Sequence, residues 1–520
     1  MLSGMAVVPA AAAAYGVLRW TTQHVASADQ ADAAASSPAS SLVIGARPEV
    51  PEGSAKPGWD ILEENSKPGT GDWQITQVRS AWDKVRGYLS HTSAQRGDKV
   101  ALFVSTSAPA FVATAYRMGH YGGLGGRQVW TSGPQTGKQQ APVRVDRSTN
   151  LRDAPWEPSV WIPLDESWVP GAYLFKLTSS DGGESQVPFV VRDDERPSAV
   201  HIQHDVTTWQ AYNRWGGASL YEGDGGRAKV VSFDRPYDLS GSGNFLGGVR
   251  EITALTEQLG IDTTHSTSLD THSRPELAAR HKVWISPAHD EYWSLEMRNG
   301  VEAARDVGVN LIFLGANCMY RRIRLEPSFW GKHRLVVNYR TAKDDPLKGV
   351  DPQRVTASWR EAPSPRPESS IVGNFYESNP VRADMVIVNS GAWMFEGTGV
   401  RDGDRWQNLV GNEYDRVTPE VPTPPNIEVL AHSPLTVKGK KSFADMTYYT
   451  ADSGAGVFSS GSIWFERHLL PGGTGTDAQI IAMMTNILRV FASGPAGQVH
   501  PSRNNLSALG IHRGYLPRIS

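Results

Sequence analysis

Residues 282–314 read KVWISPAHDEYWSLEMRNGVEAARDVGVNLIFL, and this stretch decides the fold. Lys282 to Ser286 is a short apolar run that predicts a buried strand. Ser294 can cap a helix that runs to Val307, and Gly308 stops it. Val309 to Leu314 is almost continuously apolar, as a strand covered on both faces must be. Strand, helix and strand in that order form the unit of a parallel sheet. The polar cluster between the first strand and the helix then lies at the carboxyl end of the sheet, where ligands of such sheets bind.

Outward from there, Ala199 to Gln203 and Lys229 to Phe233 predict two earlier strands. Val249 to Leu259 predicts a helix with Ile252, Leu255 and Leu259 on one face and Gly260 at its end. Asp384 to Val388, Ala444 to Thr450, Gly456 to Ser459 and Ile463 to Phe465 read as later strands, and Asp477 to Ala492 as a closing helix. Residues 338–380, rich in Pro, Arg, Asp and Ser, read as a long insertion of the kind that often forms a lid. Gly69 to Arg192 has a different rhythm: Ile75 to Val78, Val85 to Ser90, Lys99 to Ser105, Phe111 to Arg117, Arg127 to Trp130, Val160 to Pro163, Ala172 to Thr178 and Gln186 to Val191 are strand-like runs broken by Gly-rich turns. The expectation is an antiparallel β-sandwich over 69–195, followed over 197–505 by a doubly wound parallel-sheet α/β domain.

The chain has 520 residues, 39% apolar and 20% charged, which suits a globular protein of two to four domains and excludes disorder or a membrane bundle. Its 51 Lys+Arg against 54 Asp+Glu leave a formal charge of −3, which gives no basic field for nucleic acid. One cysteine excludes an internal disulfide framework and a thiolate zinc cage. Seventeen Trp and 51 Gly point to tight turns and aromatic-lined clefts. Met5 to Leu18 is an Ala-rich apolar run too short to span a bilayer, followed by Ala26-Ser27-Ala28, and it reads as a signal peptide although Arg19 stands on the wrong side of it. Residues 29–55 read as a flexible linker, so 1–55 is leader plus linker and the chain is expected to be exported, with a cytoplasmic location as the alternative.

Four segments follow predicted strands: His204 to Gly217, Asp234 to Tyr237, Ala288 to Trp293, and Gly315 to Tyr320. His289-Asp290-Glu291-Tyr292 packs an imidazole, two carboxylates and a phenol together, which suits a hard metal or an acid/base centre; the competing reading is the polar N-terminus of a helix capped by Ser294. Cys318 could be the nucleophile of an amidotransferase-like hydrolase with His289 or His204 as base, but no Gly-x-Cys-x-Gly elbow surrounds it, and an inert buried thiol is the competing reading. Trp209, Tyr212 and Trp215 suit stacking on a sugar or flat ligand, or packing against Gly216-Gly217.

Ala115 to Gly123, Trp209 to Gly217, Ser232 to Tyr237, His289 to Ser294, Leu314 to Asn317, Tyr449 to Phe458 and Gly494 to Gly497, in that order, resemble the N,N-dimethylformamidase large (beta) subunit-like family across about residues 60–503. The resemblance implies a β-sandwich followed by a class I amidotransferase-like, flavodoxin-like α/β domain. It also implies hydrolysis of an amide C–N bond at one Fe3+ held by two tyrosines and a glutamate. Carried over by motif, Tyr292 and Glu413 are the metal ligands, while Phe245-Leu246-Gly247-Gly248-Val249 holds no tyrosine where the second is due, with Tyr237 or Tyr212 as spatial substitutes. On this reading the metal polarises an amide carbonyl, His289, Glu291 and Asp290 orient or relay protons, and Trp209, Tyr212, Asn213, Trp293 and Asn317 line the substrate cleft. The alternative is an exported, non-catalytic protein that kept the scaffold, lost the ligand set and holds cell-envelope glycans. The partner is then a small amide or a glycan, with no nucleic acid and no integral membrane span, and self-association is left open.

Overall fold

In the chain's computed structural model, residues 59–76, 81–516 and 518–519 are described. The leader and linker expected over 1–55 lie outside them, as does the second half of the Ile75 to Val78 strand. The architecture is mixed α/β and rich in β structure. Between Val85 and Arg192, Val85–Leu89, Lys99–Thr106 and Val160–Pro163 form a three-stranded antiparallel sheet. A second sheet orders Ser93–Gln95, Glu184–Arg192, Gly171–Ser179, Ala110–Met118 and Gly126–Thr131 side by side. The two-residue repeat sends Phe111, Ala113 and Ala115 to one face, where they share a core with Val100, Leu102 and Val104 of the first sheet.

This region is tied to the rest of the chain by a buried ion pair. Arg117 donates to both carboxylate oxygens of Glu257, at 2.7 and 3.1 Å, and to the Tyr121 hydroxyl at 3.0 Å. Both charged side chains are fully buried. Gly119 is required beside them, since an added Cβ would lie 2.1 Å from Glu257 Oε2.

The central sheet has seven strands in the order Thr263–Thr267, Val200–His204, Val283–Ser286, Asn310–Phe313, Gly456–Ser459, Lys440–Thr450, Glu428–Val437. Neighbours among the first five are parallel, and the last two run antiparallel. The expected Lys229 to Phe233 strand forms as Val230–Ser232 but pairs antiparallel with Gly331–Val337 in a separate sheet. The edge of the central sheet is instead formed by Thr263–Thr267, a strand that the apolar periodicity does not mark. All five of those residues are buried. The hydroxyls of Thr264 and Ser266 are matched across the strand, with Thr264 Oγ1 2.9 Å from His201 Nδ1 and Ser266 Oγ 2.7 Å from His201 Nε2, so burial leaves those two satisfied. Ile463 to Phe465 is a turn rather than a strand, and it leads into a short helical turn at Phe465–His468.

The helices Arg250–Gln258, Leu295–Asp306 and Thr476–Ser493 form where the periodicity places them. Ser294 caps the second by accepting the Met297 N–H at 3.2 Å, and Met297, Val301 and Ala304 form its buried stripe. Residues 338–374 are mostly irregular, yet they are built into the core rather than free to act as a lid. Trp359 is fully buried, with the guanidinium of Arg322 4.0 Å and that of Arg298 4.7 Å from its ring centre. Asp345 accepts from Arg324 at 2.8 Å and from the Thr356 hydroxyl at 2.6 Å. Among the described residues no helix is long and apolar enough to cross a membrane.

Candidate functional site

The chain leaves the Val200–His204 strand, builds Thr263–Thr267 on one side of it, and returns as Val283–Ser286 on the other. Strand order reverses at that gap, and ligands of open α/β sheets bind beyond the carboxyl ends of the two strands that flank such a reversal. A cavity of about 270 Å3 opens there. Asp205, Trp209 and Tyr212 line it from one strand and Ala288 and His289 from the other, with Asn244 and Arg467 completing the wall.

The floor of this crevice is strained. Ala288, Asn317 and Met319 have φ of 52°, 56° and 58°, in the left-handed region that costs a side chain roughly 1–3 kcal/mol. Close packing holds the first of them: an added Cβ on Gly315 would lie 1.7 Å from the Ala288 carbonyl oxygen, and one on Gly248 2.6 Å from Ala288 Cβ. A carboxyl oxygen of Glu466 accepts the Ala288 N–H.

Beside the cavity, an imidazole and a carboxylate are locked together by phenols. His289 Nδ1 donates to the Ala316 carbonyl at 3.1 Å, and Nε2 points between the Tyr212 hydroxyl at 2.9 Å and Glu291 Oε2 at 3.3 Å. Both ring nitrogens therefore donate, as an imidazolium requires. Burial alone would push this imidazole down, but its hydrogen bond to Glu291 and the fields of Glu413 and Glu291 hold its pKa up at about 10. Glu291 also accepts from Tyr212 at 2.8 Å and Tyr221 at 2.5 Å, and Arg321 stands 3.6 Å away. Burial opposes ionisation of Glu291, yet its bond to His289 and the His289 charge keep the carboxyl below its usual range. Beneath the cavity the sign reverses. Burial, reinforced by the field of Asp290, pushes Asp205 well above the usual carboxylate range, and burial does the same to Glu466.

Of the other residues singled out in the sequence, Asp290 lies under the sheet end, where Oδ2 accepts from Ser286 and Gln203 at 2.9 Å each, and burial raises its pKa. Asn213 is buried and donates to Gln210 and Pro236. Trp293 is fully buried in a separate core cluster, with its N–H on the Asp290 carbonyl at 2.8 Å. Trp215 sits against Trp156 of the antiparallel region, not in the crevice. Asn317 donates to Glu413 at 2.8 Å. Cys318 is fully buried, with its thiol pushed up by burial and by Asp415. Tyr221, Asn379, Glu466 and Arg467 carry no sequence signal for a role here: Asn379 lies in the strand Phe375–Val386 and Glu466 and Arg467 in the short helical turn Phe465–His468, and only tertiary folding brings them beside these groups.

The expected iron and the metal-dependent chemistry built on it are corrected by the side chains themselves. Both Glu413 oxygens are already taken, one by Asn317 and one by Asn379, each at 2.8 Å. Tyr292 is a fully buried phenol, and burial together with Glu291 raises its pKa. Tyr212 is committed to His289 and Glu291, and Tyr237 lines a different, smaller cavity with His204. Phe245, where a second tyrosine was due, is buried against His204 with ring centres 5.8 Å apart. Among the described residues, no group of three or more His, Cys, Asp or Glu side chains is placed to hold a metal ion.

The fold and crevice define a mixed α/β protein with a polar, aromatic-walled cavity at the reversal point of a largely parallel sheet. Residues 112–477 match the family described as N,N-dimethylformamidase beta subunit-like, C-terminal, and the chain belongs to that family. The family takes its name from an amidase subunit. A comparison with curated proteins finds no match.

Proposed function

We infer that this chain is a binding member of its family, which holds a glycan end or a similar small polyhydroxylated ligand in the 270 Å3 cavity without turning it over. The observation that carries this reading is the residue at the strained turn. In hydrolases built on such sheets the strained strand-to-loop residue is itself the nucleophile, and here it is Ala288. Around it stand groups suited to holding rather than cleaving. Trp209 and Tyr212 offer ring surface to the C–H face of a sugar, and Asn244 and Arg467 offer donors. A volume just below the ~300 Å3 lower end of small-molecule sites suits one or two sugar rings. In this reading the two N-terminal sheets form a β-sandwich, the central sheet is amidotransferase-like, and the chain is exported through its leader.

Titration calorimetry with mono- and oligosaccharides, alongside assays of a panel of small amides, tests it. The expected result is saccharide binding without turnover, weakened at least tenfold by Tyr212→Ala. Amide hydrolysis by the wild type, abolished by His289→Gln and unaccompanied by saccharide binding, overturns it.

A further inference from the structure

Away from the crevice, the antiparallel region carries a second aromatic surface. Phe329, at the tip of the hairpin formed by Arg321–Ser328 and Gly331–Val337, is 86% exposed. A chain of ring contacts runs inward from it: Trp330 at 5.2 Å, then the buried rings of Phe103 at 4.8 Å, Tyr88 at 4.5 Å and Trp156 at 5.6 Å, and out again to the half-buried Trp215 at 5.8 Å. Two cavities open along this ladder and meet at Trp156. One, of about 250 Å3, is bordered by Arg144, Asp153, Asp234, Phe329 and Trp330. The other, of about 230 Å3, is bordered by Asp83, Lys84, Arg86, Gln139 and Trp215. Neither shares a lining residue with the switch-point cavity.

The charge pattern selects the occupant. Every ionic side chain lining the groove has a counter-charge beside it: Arg144 holds Asp153 through two bonds, Arg86 holds Asp83, Arg334 holds Asp234 at 2.8 Å, and Lys84 stands 3.9 Å from Asp181. An anionic polymer finds no unpaired cation there. A proline-rich peptide, the other common guest of aromatic grooves, brings few N–H donors to the aspartate oxygens. Sugar hydroxyls donate and accept at once, so they match side-chain pairs that present a guanidinium and a carboxylate together, while ring C–H faces cover the accessible rings of Phe329, Trp330 and Trp215. The geometry points to a groove for a linear, uncharged polysaccharide, with successive sugar units in the two cavities on either side of Trp156. It shares its ligand class with the switch-point cavity but rests on separate residues.

The test is electrophoresis of the full chain in native gels cast with soluble β-glucan, mannan or galactan, with polygalacturonate gels and a proline-rich peptide as comparators. Retardation by at least one of the three neutral polymers is expected. The Phe329→Ala/Trp215→Ala double variant should raise the half-retarding polymer concentration at least tenfold, with circular dichroism reporting that it folds. Val499→Ala, an exposed apolar residue that lines none of the three cavities, should leave retardation unchanged. Absence of retardation on all three neutral polymers, binding confined to polygalacturonate or the peptide, or a loss caused equally by Val499→Ala and the double variant overturns the inference.

Discussion

Replacing Glu291 with glutamine removes one charge from a buried pair and leaves its shape. In the wild type the His289 imidazole holds its proton up to about 10, against an ordinary value of 6.5. At ~1.4 kcal/mol per tenfold change in proton affinity, this corresponds to roughly 5 kcal/mol favouring the folded, protonated state. The His289 side chain is 17% exposed, which lowers the figure, and about 3–5 kcal/mol is the usual cost of orphaning one member of a buried pair. The sign follows from the direction of the shift. A raised imidazole contributes its full stability below ~6.5 and loses it as pH rises through about 10. Glu291, held low, contributes above the ordinary carboxylate value and loses its share as pH falls through its folded-state value. Urea denaturation between pH 6 and 11 therefore shows wild-type stability falling steadily from about pH 6.5 and levelling off near pH 10, and Glu291→Gln lies ~3 kcal/mol lower at pH 7 with that fall largely removed. Nitrogen-detected NMR of the His289 ring should give a titration midpoint near 10 in the wild type, displaced downward in the variant. A wild-type midpoint at or below 7, or one that Glu291→Gln leaves in place, would refute the reasoning.

Glu257→Gln should destabilise the protein by about 3–5 kcal/mol in chemical denaturation, because it strands the fully buried Arg117, while Arg117→Met combined with Glu257→Leu should recover most of that loss. Gly315→Ala forces a Cβ to within 1.7 Å of the Ala288 carbonyl and should lower the melting temperature sharply; Gly71→Ala, which meets nothing within 4 Å, should stay within ~0.5 kcal/mol of wild type. Cys318, fully buried with a raised pKa, should be inert to a thiol reagent at pH 8 in the native protein and react fully once unfolded, so fast native labelling would contradict its placement.

The helices and four of the five parallel strands were legible because their apolar spacing is regular. The fifth, Thr263–Thr267, was not, since a buried strand made of Thr, His and Ser carries no hydrophobic period. It is stable only because His201 and Ser198 on the adjoining segment supply matching polar groups. Lys229 to Phe233 was legible as a strand but not as a member of another sheet, because its partner Gly331–Val337 lies a hundred residues away in sequence. At the site, the His289 to Tyr292 run could be read as a polar cluster, but its charge state depends on Tyr212, Tyr221 and Glu413, which come from other segments. Sequence order also put Trp215 and Trp293 beside the crevice, when each faces a different core. The metal set failed for a similar reason, since the motif around Glu413 does not reveal that two asparagine amides already occupy its oxygens.

The alanine at the strained turn bears on how this scaffold could acquire chemistry. Ala288→Ser would put a hydroxyl at the apex of a turn that already bears the conformational cost of displaying a nucleophile, beside a cavity able to receive a ligand. The adjoining histidine would not activate it, because an imidazole that keeps its proton up to about 10 cannot accept another at neutral pH. Hydrolysis by that route would first require loosening the hold of Glu291 on that ring, so it would call for changes at residues on either side of the same turn.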